Sequence, residues 1–276
     1  FIMDSGNSRV LILDKEYKCI AELVEFKYSE ELAAKYGAET TTLKKAEGLF
    51  FRESNQMLYI ADTNNNRILA KVYEKPVDEL LDPKQQFKPS KIIVDNMGIM
   101  YVTSTVLNTG ALLIDSAGSF LGFYGTNKLK ETAEMKLERM WRNLMKQAVS
   151  EETFQPAEFN NIFWSEDRFV YAVSPINDKV ASSVVKLNAL GNDVSPNTIE
   201  FSKDFLKSFH YSSAMMLVDI TVDDDGAITL LEMHTGRLFQ YDSECNLLAV
   251  FGGTGYQKGS FRTPVSIESV SEKNIY

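Results

Sequence analysis

The chain has 276 residues, 44% of them hydrophobic and 24% charged, which suits one large domain or two small ones with a sizeable core. A formal net charge of −9 and an isoelectric point near 4.9 repel phosphate backbones and argue against general nucleic-acid binding. No apolar run approaches the ~20 residues needed to span a bilayer, and the composition is not that of a disordered chain.

The first stretch, "FIMDSGNSRVLIL", places Asp4, Asn7 and Arg9 between two apolar runs. The same spacing returns in "LYIADTNNNRILAKV" as Asp62, Asn65 and Arg67. A spacing used twice marks a repeat. In each copy Asp ends one strand and Arg begins the next, so the two are expected to face each other across a hairpin as an ion pair. Asn65 is expected to take the left-handed backbone of the turn. Exposed pairs of this kind contribute about 0–1 kcal/mol, and all these residues, with Arg237 further on, read as structural.

Short runs of Val, Ile, Leu, Tyr and Phe then recur between Asp, Asn, Gly and Ser, which predicts strands and tight turns. Units start near Glu47, Lys88, Pro156 and Ala214, and "TPVSIESVSEKNIY" closes the chain. Pro89, Pro156 and Pro264 precede or open first strands, where no ladder donor is lost. Turns such as "DNMG", "SEDR", "DDDG", "DSAGSF" and "DSECNL" supply hairpin conformations at low strain. The unit period is about forty to fifty residues, that of propeller blades. The repeat decays in places. The unit from Lys88 keeps only Asn108 and Gly110, and "HTGR" keeps Gly236 and Arg237 but has Met233 where an Asp is expected.

Residues 128–152 break the pattern. Leu137, Met140, Trp141, Leu144, Met145 and Ala148 recur at helical spacing without Gly or Pro, predicting an amphipathic helix inserted between two blades. Its apolar stripe either packs on the barrel or serves as a lid or docking helix. Residues 195–213 predict a long connection with a short helix around 201–209.

Little in the sequence points to catalysis. Histidine is limited to His210 and His234, the latter in a hairpin turn where it reads as solvated, and no nucleophile elbow or phosphate loop is present. Cys19 and Cys245 lie far apart and form neither a disulfide framework nor a zinc pattern. Trp164, Trp141, Tyr101 and Tyr124, with Phe123, are candidate stacking surfaces for a sugar or peptide, although aromatics in alternating strands also fill cores.

The motifs carry a resemblance. "LYIADTNNNRIL" and "FIMDSGNSRVLIL" resemble the NHL repeat, and "VFGGTGYQKGSFRTPVSI" is similar to the junction between its blades. The resemblance implies an all-β, NHL-type β-propeller over residues 1–276, cut from a longer chain. It has about six blades, or five if the terminal fragments share one. The order "LNALGNDV" then "GRLFQYDSECNLLAVFGG" is similar to bacterial proteins in which such a propeller precedes a Yip-family membrane domain. That implies an extracytoplasmic, membrane-tethered propeller. The expected function is a non-catalytic binding or scaffold module for a protein or carbohydrate partner, with no cofactor. The alternative is a lactonase- or lyase-like propeller enzyme with calcium in its channel. Glu158, Asn160, Asp219 and Glu268, near the starts of inner strands, would supply oxygens, unless they are solvated rim residues.

Overall fold

The computed structural model describes residues 1–70, 73, 74, 84, 86–125, 159–176, 183–199, 201, 203–208, 215–270, 274 and 275. The helix expected over 128–152, with Trp141, and also Glu158 and His210, lie outside these residues. The chain divides into two compact units, one of residues 1–107 and 111–123, the other of 108–110 and 124–276.

In the first unit, β1 (Ile2–Asp4), β2 (Arg9–Leu13) and β3 (Cys19–Leu23) form an antiparallel sheet. A second sheet holds β6 (Gly48–Arg52), β7 (Met57–Asp62) and β8 (Arg67–Leu69). Between them the chain makes an excursion: β4 (Glu25–Lys27), helix α1 (Glu30–Tyr36) and β5 (Thr40–Thr42), with β4 paired to β5. Ser29 caps α1 by accepting the Leu32 N–H, and Gly37 ends it at φ 65°. A third sheet runs in the order β12 (Phe120–Tyr124), β11 (Leu107–Ile114), β10 (Met100–Ser104), β9 (Pro89–Val94).

The second unit holds a sheet of β13 (Asn161–Trp164), β14 (Val170–Val173) and β15 (Val184–Leu187). Another holds β16 (Leu217–Val222), β17 (Ile228–Glu232), β18 (Arg237–Tyr241) and β19 (Leu247–Gly252). The short helix expected around 201–209 is α2 (Lys203–Ser208). A small pair, β20 (Ser269–Val270) and β21 (Asn274–Ile275), ends the described chain.

Burial follows strand alternation. On β7, Tyr59 and Ala61 join a core with Ile92, Val102 and Leu112, while Ile60 joins a different one with Val10, Leu43 and Leu69. A sheet buried on both faces has neighbours on each side, so its strands read as near-continuous apolar runs. In the second unit, Leu230 packs with Ile220 and Phe239, and the adjacent Leu231 packs with Leu238 and Ile267.

Two turn devices recur. In the first, a single 3-10 turn is closed by a left-handed residue: Ser8 at φ 55°, Gln56 at 54°, Asn66 at 56°. The left-handed residue is therefore Asn66 and not Asn65, whose side chain has another role. In the second, an Asp or Asn at a strand end accepts the N–H groups two and four residues on, three residues before a left-handed position. Asp14, Asp95, Asp115, Asn188, Asp223 and Asp242 all do this. The "DDDG" run is such a hairpin turn, with Gly226 at φ 82°.

Candidate functional site

The repeat motif holds a hairpin turn to the segment that enters its sheet. Asp62 has no exposed surface, and its carboxylate accepts Arg67 Nε at 2.9 Å, Asn65 Nδ2 at 2.8 Å and the Lys44 N–H at 2.8 Å. The Lys44 contact ties the turn to the segment entering β6. The other copy is more open. Asp4 accepts Arg9 Nε at 2.7 Å and Asn7 Nδ2 at 2.9 Å, and Arg9 reaches out to Glu22 at 2.8 Å. The Asn7 and Arg9 hydrogen bonds hold the Asp4 carboxyl below its usual range.

The second unit uses a longer acid. Glu232 pairs in register with Arg237, as Asp62 does with Arg67, and it is fully buried. Its carboxylate accepts the N–H groups of Met216 at 3.1 Å, His234 at 3.1 Å and Thr235 at 2.8 Å, with the Thr235 hydroxyl at 2.6 Å. Burial pushes its carboxyl up, but these donors outweigh it and the net shift is downward. The acid of this copy is Glu232, one position before Met233. The sequence signal was its five-residue distance to Arg237, the same as from Asp62 to Arg67, masked by the expectation of Asp.

A polar cluster joins three inner strands of the second unit. Asp219 Oδ1 accepts from Asn161 Nδ2 and from the Ile220 N–H at 2.8 Å, while Oδ2 accepts the Ile267 N–H at 2.8 Å. Asn161 Oδ1 accepts the Ile162 N–H at 2.7 Å. Two positions further on, Thr221 Oγ1 accepts the Ser269 N–H at 3.1 Å and lies 2.8 Å from the Ser269 hydroxyl. Asn160 instead donates to the Leu217 carbonyl at 2.6 Å. Glu268 lies between these anchors. Its side chain keeps exposed surface, but crowding by protein atoms, aided by the Asp219 charge, pushes its carboxyl up to about 7.

Of the four oxygen ligands considered from sequence, then, Asp219 and Glu268 come together, and Asn160 turns its amide nitrogen to the Leu217 carbonyl. Both oxygens of Asp219 already hold donors, so it works as a strut between strands. Among the described residues no three His, Cys, Asp or Glu side chains form a group suited to a metal ion.

No family model matches the chain, and no curated protein matches it. Solved structures do. A streptogramin B lyase aligns with 99% of this chain and 84% of its own, at 12% identity and a TM-score of 0.52. A nidogen/laminin complex aligns over 96% and 79%, also at 12% identity and 0.52. A catalytically inactive virginiamycin B lyase from Staphylococcus aureus, with quinupristin, aligns over 96% and 68% at 12% identity and 0.50. These are propeller proteins, and the several small antiparallel sheets described here match that fold. The fold is a β-propeller.

Within the propeller, the expected stacking aromatics are placed differently from one another. Tyr101 is buried, and its hydroxyl donates to Asp95 at 3.4 Å. Burial first and the Asp95 charge second push its phenol up to about 12. Tyr124 is buried too, donating to the Asn188 carbonyl at 2.7 Å. Neither offers a face to a ligand, because strand alternation turns both inward. Trp164 is half-buried at the end of β13, opposite Val170.

An exposed apolar strand of the second unit lies elsewhere, at β19. Five of the six residues of Leu247–Gly252 are exposed, and none is charged. Leu248 is 58% exposed. Two other outer strands are covered by a following segment, whereas β3 and β12 also end their sheets. Ile68 of β8 exchanges hydrogen bonds with Tyr73 at 2.8 and 2.9 Å, and Lys186 of β15 accepts the Val194 N–H at 2.7 Å. The outer edge of β19 pairs with no strand among the described residues. Next to it, the loop of the "GGTGYQKGSF" junction carries Tyr256, 87% exposed, with the Arg262 guanidinium 4.7 Å from its ring centre.

Proposed function

We propose that the chain is a non-catalytic binding module, an NHL-type propeller domain of about six blades that recruits a protein partner by strand addition to β19. One observation carries this reading: the charge-free, apolar outer strand β19 exposes five of its six residues, and its outer edge pairs with no strand among the described residues, whereas β8 and β15 are covered. Such edges are templates for pairing, and proteins commonly blunt them with charge or a covering segment. An extended partner strand would gain main-chain hydrogen bonds from the edge and side-chain contacts from Leu248 and Phe251. The structural likeness to a nidogen/laminin complex is compatible with protein binding but supplies only the fold. Selection of displayed random peptides on the immobilised chain tests the proposal. Enriched sequences should alternate apolar and polar residues, and Leu248→Lys should abolish their binding. Enrichment indifferent to Leu248→Lys would overturn it.

The Asp–Asn–Arg clamp supports the NHL assignment of the repeat. An extracytoplasmic, membrane-tethered setting belongs to the same proposal and rests on the sequence resemblance. No helix among the described residues is long and apolar enough to cross a membrane.

The second reading is a lactonase- or lyase-like enzyme with calcium held near Asp219. The raised carboxyl of Glu268 beside Asp219 favours it, since strongly perturbed acids cluster at functional sites. The committed oxygens of Asp219 weigh against it. Calcium should then raise the melting temperature by mass action, and EDTA should reverse the shift. No shift would remove this reading.

A further inference from the structure

The first unit contains a cavity of about 630 Å³ that has no part in the proposed partner strand. Leu23, Leu58, Ile60 and Leu69 line it from the two flanking sheets, and Phe26 and Leu32 from the excursion. The space opens to solvent, and a hollow of this size with mostly apolar walls is a default candidate for a ligand site. Small-molecule pockets span about 300–1,000 Å³ with mostly apolar walls and a few polar groups.

Helix α1 buries none of its seven residues, so it stands over this space without filling it. It is nevertheless held in place. Tyr36 Oη and Lys35 Nζ both donate to Glu74, the latter at 3.1 Å, and the Tyr36 ring stacks on Tyr28 at 5.2 Å. The base of the excursion is fixed by Arg67. Its Nη1 donates to Tyr28 Oη, and its Nη2 to Thr41 Oγ1 at 2.7 Å and to the Thr42 carbonyl at 3.3 Å. Tyr28 and Thr41 both line the cavity.

The chemistry of the walls selects a ligand class. Lys27 and Glu31 are the charged groups lining the cavity, and their charges offset. The nearby Arg67 is neutralised by Asp62 at 2.9 Å. The chain as a whole carries −9, which disfavours an anion. Tyr28 Oη accepts from Arg67, while its own O–H donates to no group among the described residues. That proton suits an acceptor oxygen on the ligand.

We propose that this cavity is a binding site for a neutral amphiphile: an apolar body seated between the two sheets and α1, with a carbonyl, ether or hydroxyl oxygen accepting from Tyr28. Titration of the whole chain with the neutral fluorophore N-phenyl-1-naphthylamine reads it out. The expected result is saturable, single-site enhancement. Methyl laurate should displace the probe, and laurate should do so at least tenfold less well. Leu32→Trp fills the cavity and should weaken the probe at least tenfold with the melting curve retained; Ala70→Leu serves if that variant does not fold. Tyr28→Phe should leave the probe in place but weaken methyl laurate about three- to tenfold, the loss of one hydrogen bond. Non-saturable uptake, or probe binding unchanged in a folded cavity-filling variant, would overturn the site. Laurate competing as well as its ester, or methyl laurate indifferent to Tyr28→Phe, would overturn the ligand class.

Discussion

Arg9 and Arg67 occupy the same place in the same repeat, yet their environments differ. Side-chain exposure is 30% for Arg9 and 22% for Asp4, against 10% for Arg67 and zero for Asp62. Removing one partner of a buried pair leaves an uncompensated charge, which costs about 3–5 kcal/mol. Removing one partner of a solvated pair costs at most about 1 kcal/mol. Arg67→Ala should therefore destabilise by several kcal/mol in urea unfolding and Arg9→Ala by far less; equal losses would refute the distinction. Glu268 makes a pH prediction. Its folded carboxyl titrates at about 7, above the usual ~4.3. The stability due to its protonated form is complete below ~4.3 and is lost as pH rises through about 7. Glu268→Gln should flatten melting temperature against pH between about 4 and 7. Asp115 and Asp242 act in the opposite direction. A backbone hydrogen bond from Ser119 and a side-chain bond from Asn246, respectively, lead the causes that hold them low, so their contribution is lost as pH falls through their folded values.

At the scale of elements, the turns set the registers. The Asp14 hairpin places Tyr17 at φ 60° and 54% exposed. A left-handed non-glycine residue costs about 1–2 kcal/mol. Tyr17→Gly, offset by the freedom glycine adds to the unfolded chain, should leave stability unchanged or raise it by up to about 1 kcal/mol in denaturant melts. A loss would show that the Tyr17 ring contributes more than its backbone costs. The hairpins were legible because their chemistry is local: an Asp or Asn followed at fixed distance by a permissive residue is visible in eight letters. The clamp acid Glu232 was missed because Asp was expected one position later, at Met233, although Glu232 holds the same register to its arginine as Asp62 does. Asn161 was passed over for Asn160 because which of two neighbours faces inward depends on the strand's phase. Helix α1 and the cavity beside it left little trace, since a seven-residue helix with no buried face carries no strong periodicity. Its cap, Ser29, and its terminator, Gly37, were the available signals.

For the whole molecule, the two proposed sites fall in different compact units and share no residue. Effects of substitutions without shared partners add within about 0.5 kcal/mol. Leu248→Lys should therefore abolish peptide binding and leave the naphthylamine titration unchanged, and Leu32→Trp should do the reverse. Coupling between the two readouts would show a shared conformational equilibrium. The formal charge of −9 bears on the partner as well: outside the charge-free β19 edge, a basic rim on the partner would speed encounter, and added salt would slow it.

The guanidinium of Arg67 divides its donors between the blade clamp and the excursion that carries Tyr28 and Thr41. Elsewhere the corresponding register position holds other pairs, Ser104 with Leu107 in one sheet and Glu232 with Arg237 in another. A change at position 67 would release two structures at once. Descent with modification should therefore spare this arginine wherever the excursion persists. A comparison of related chains should find the two kept together and lost together.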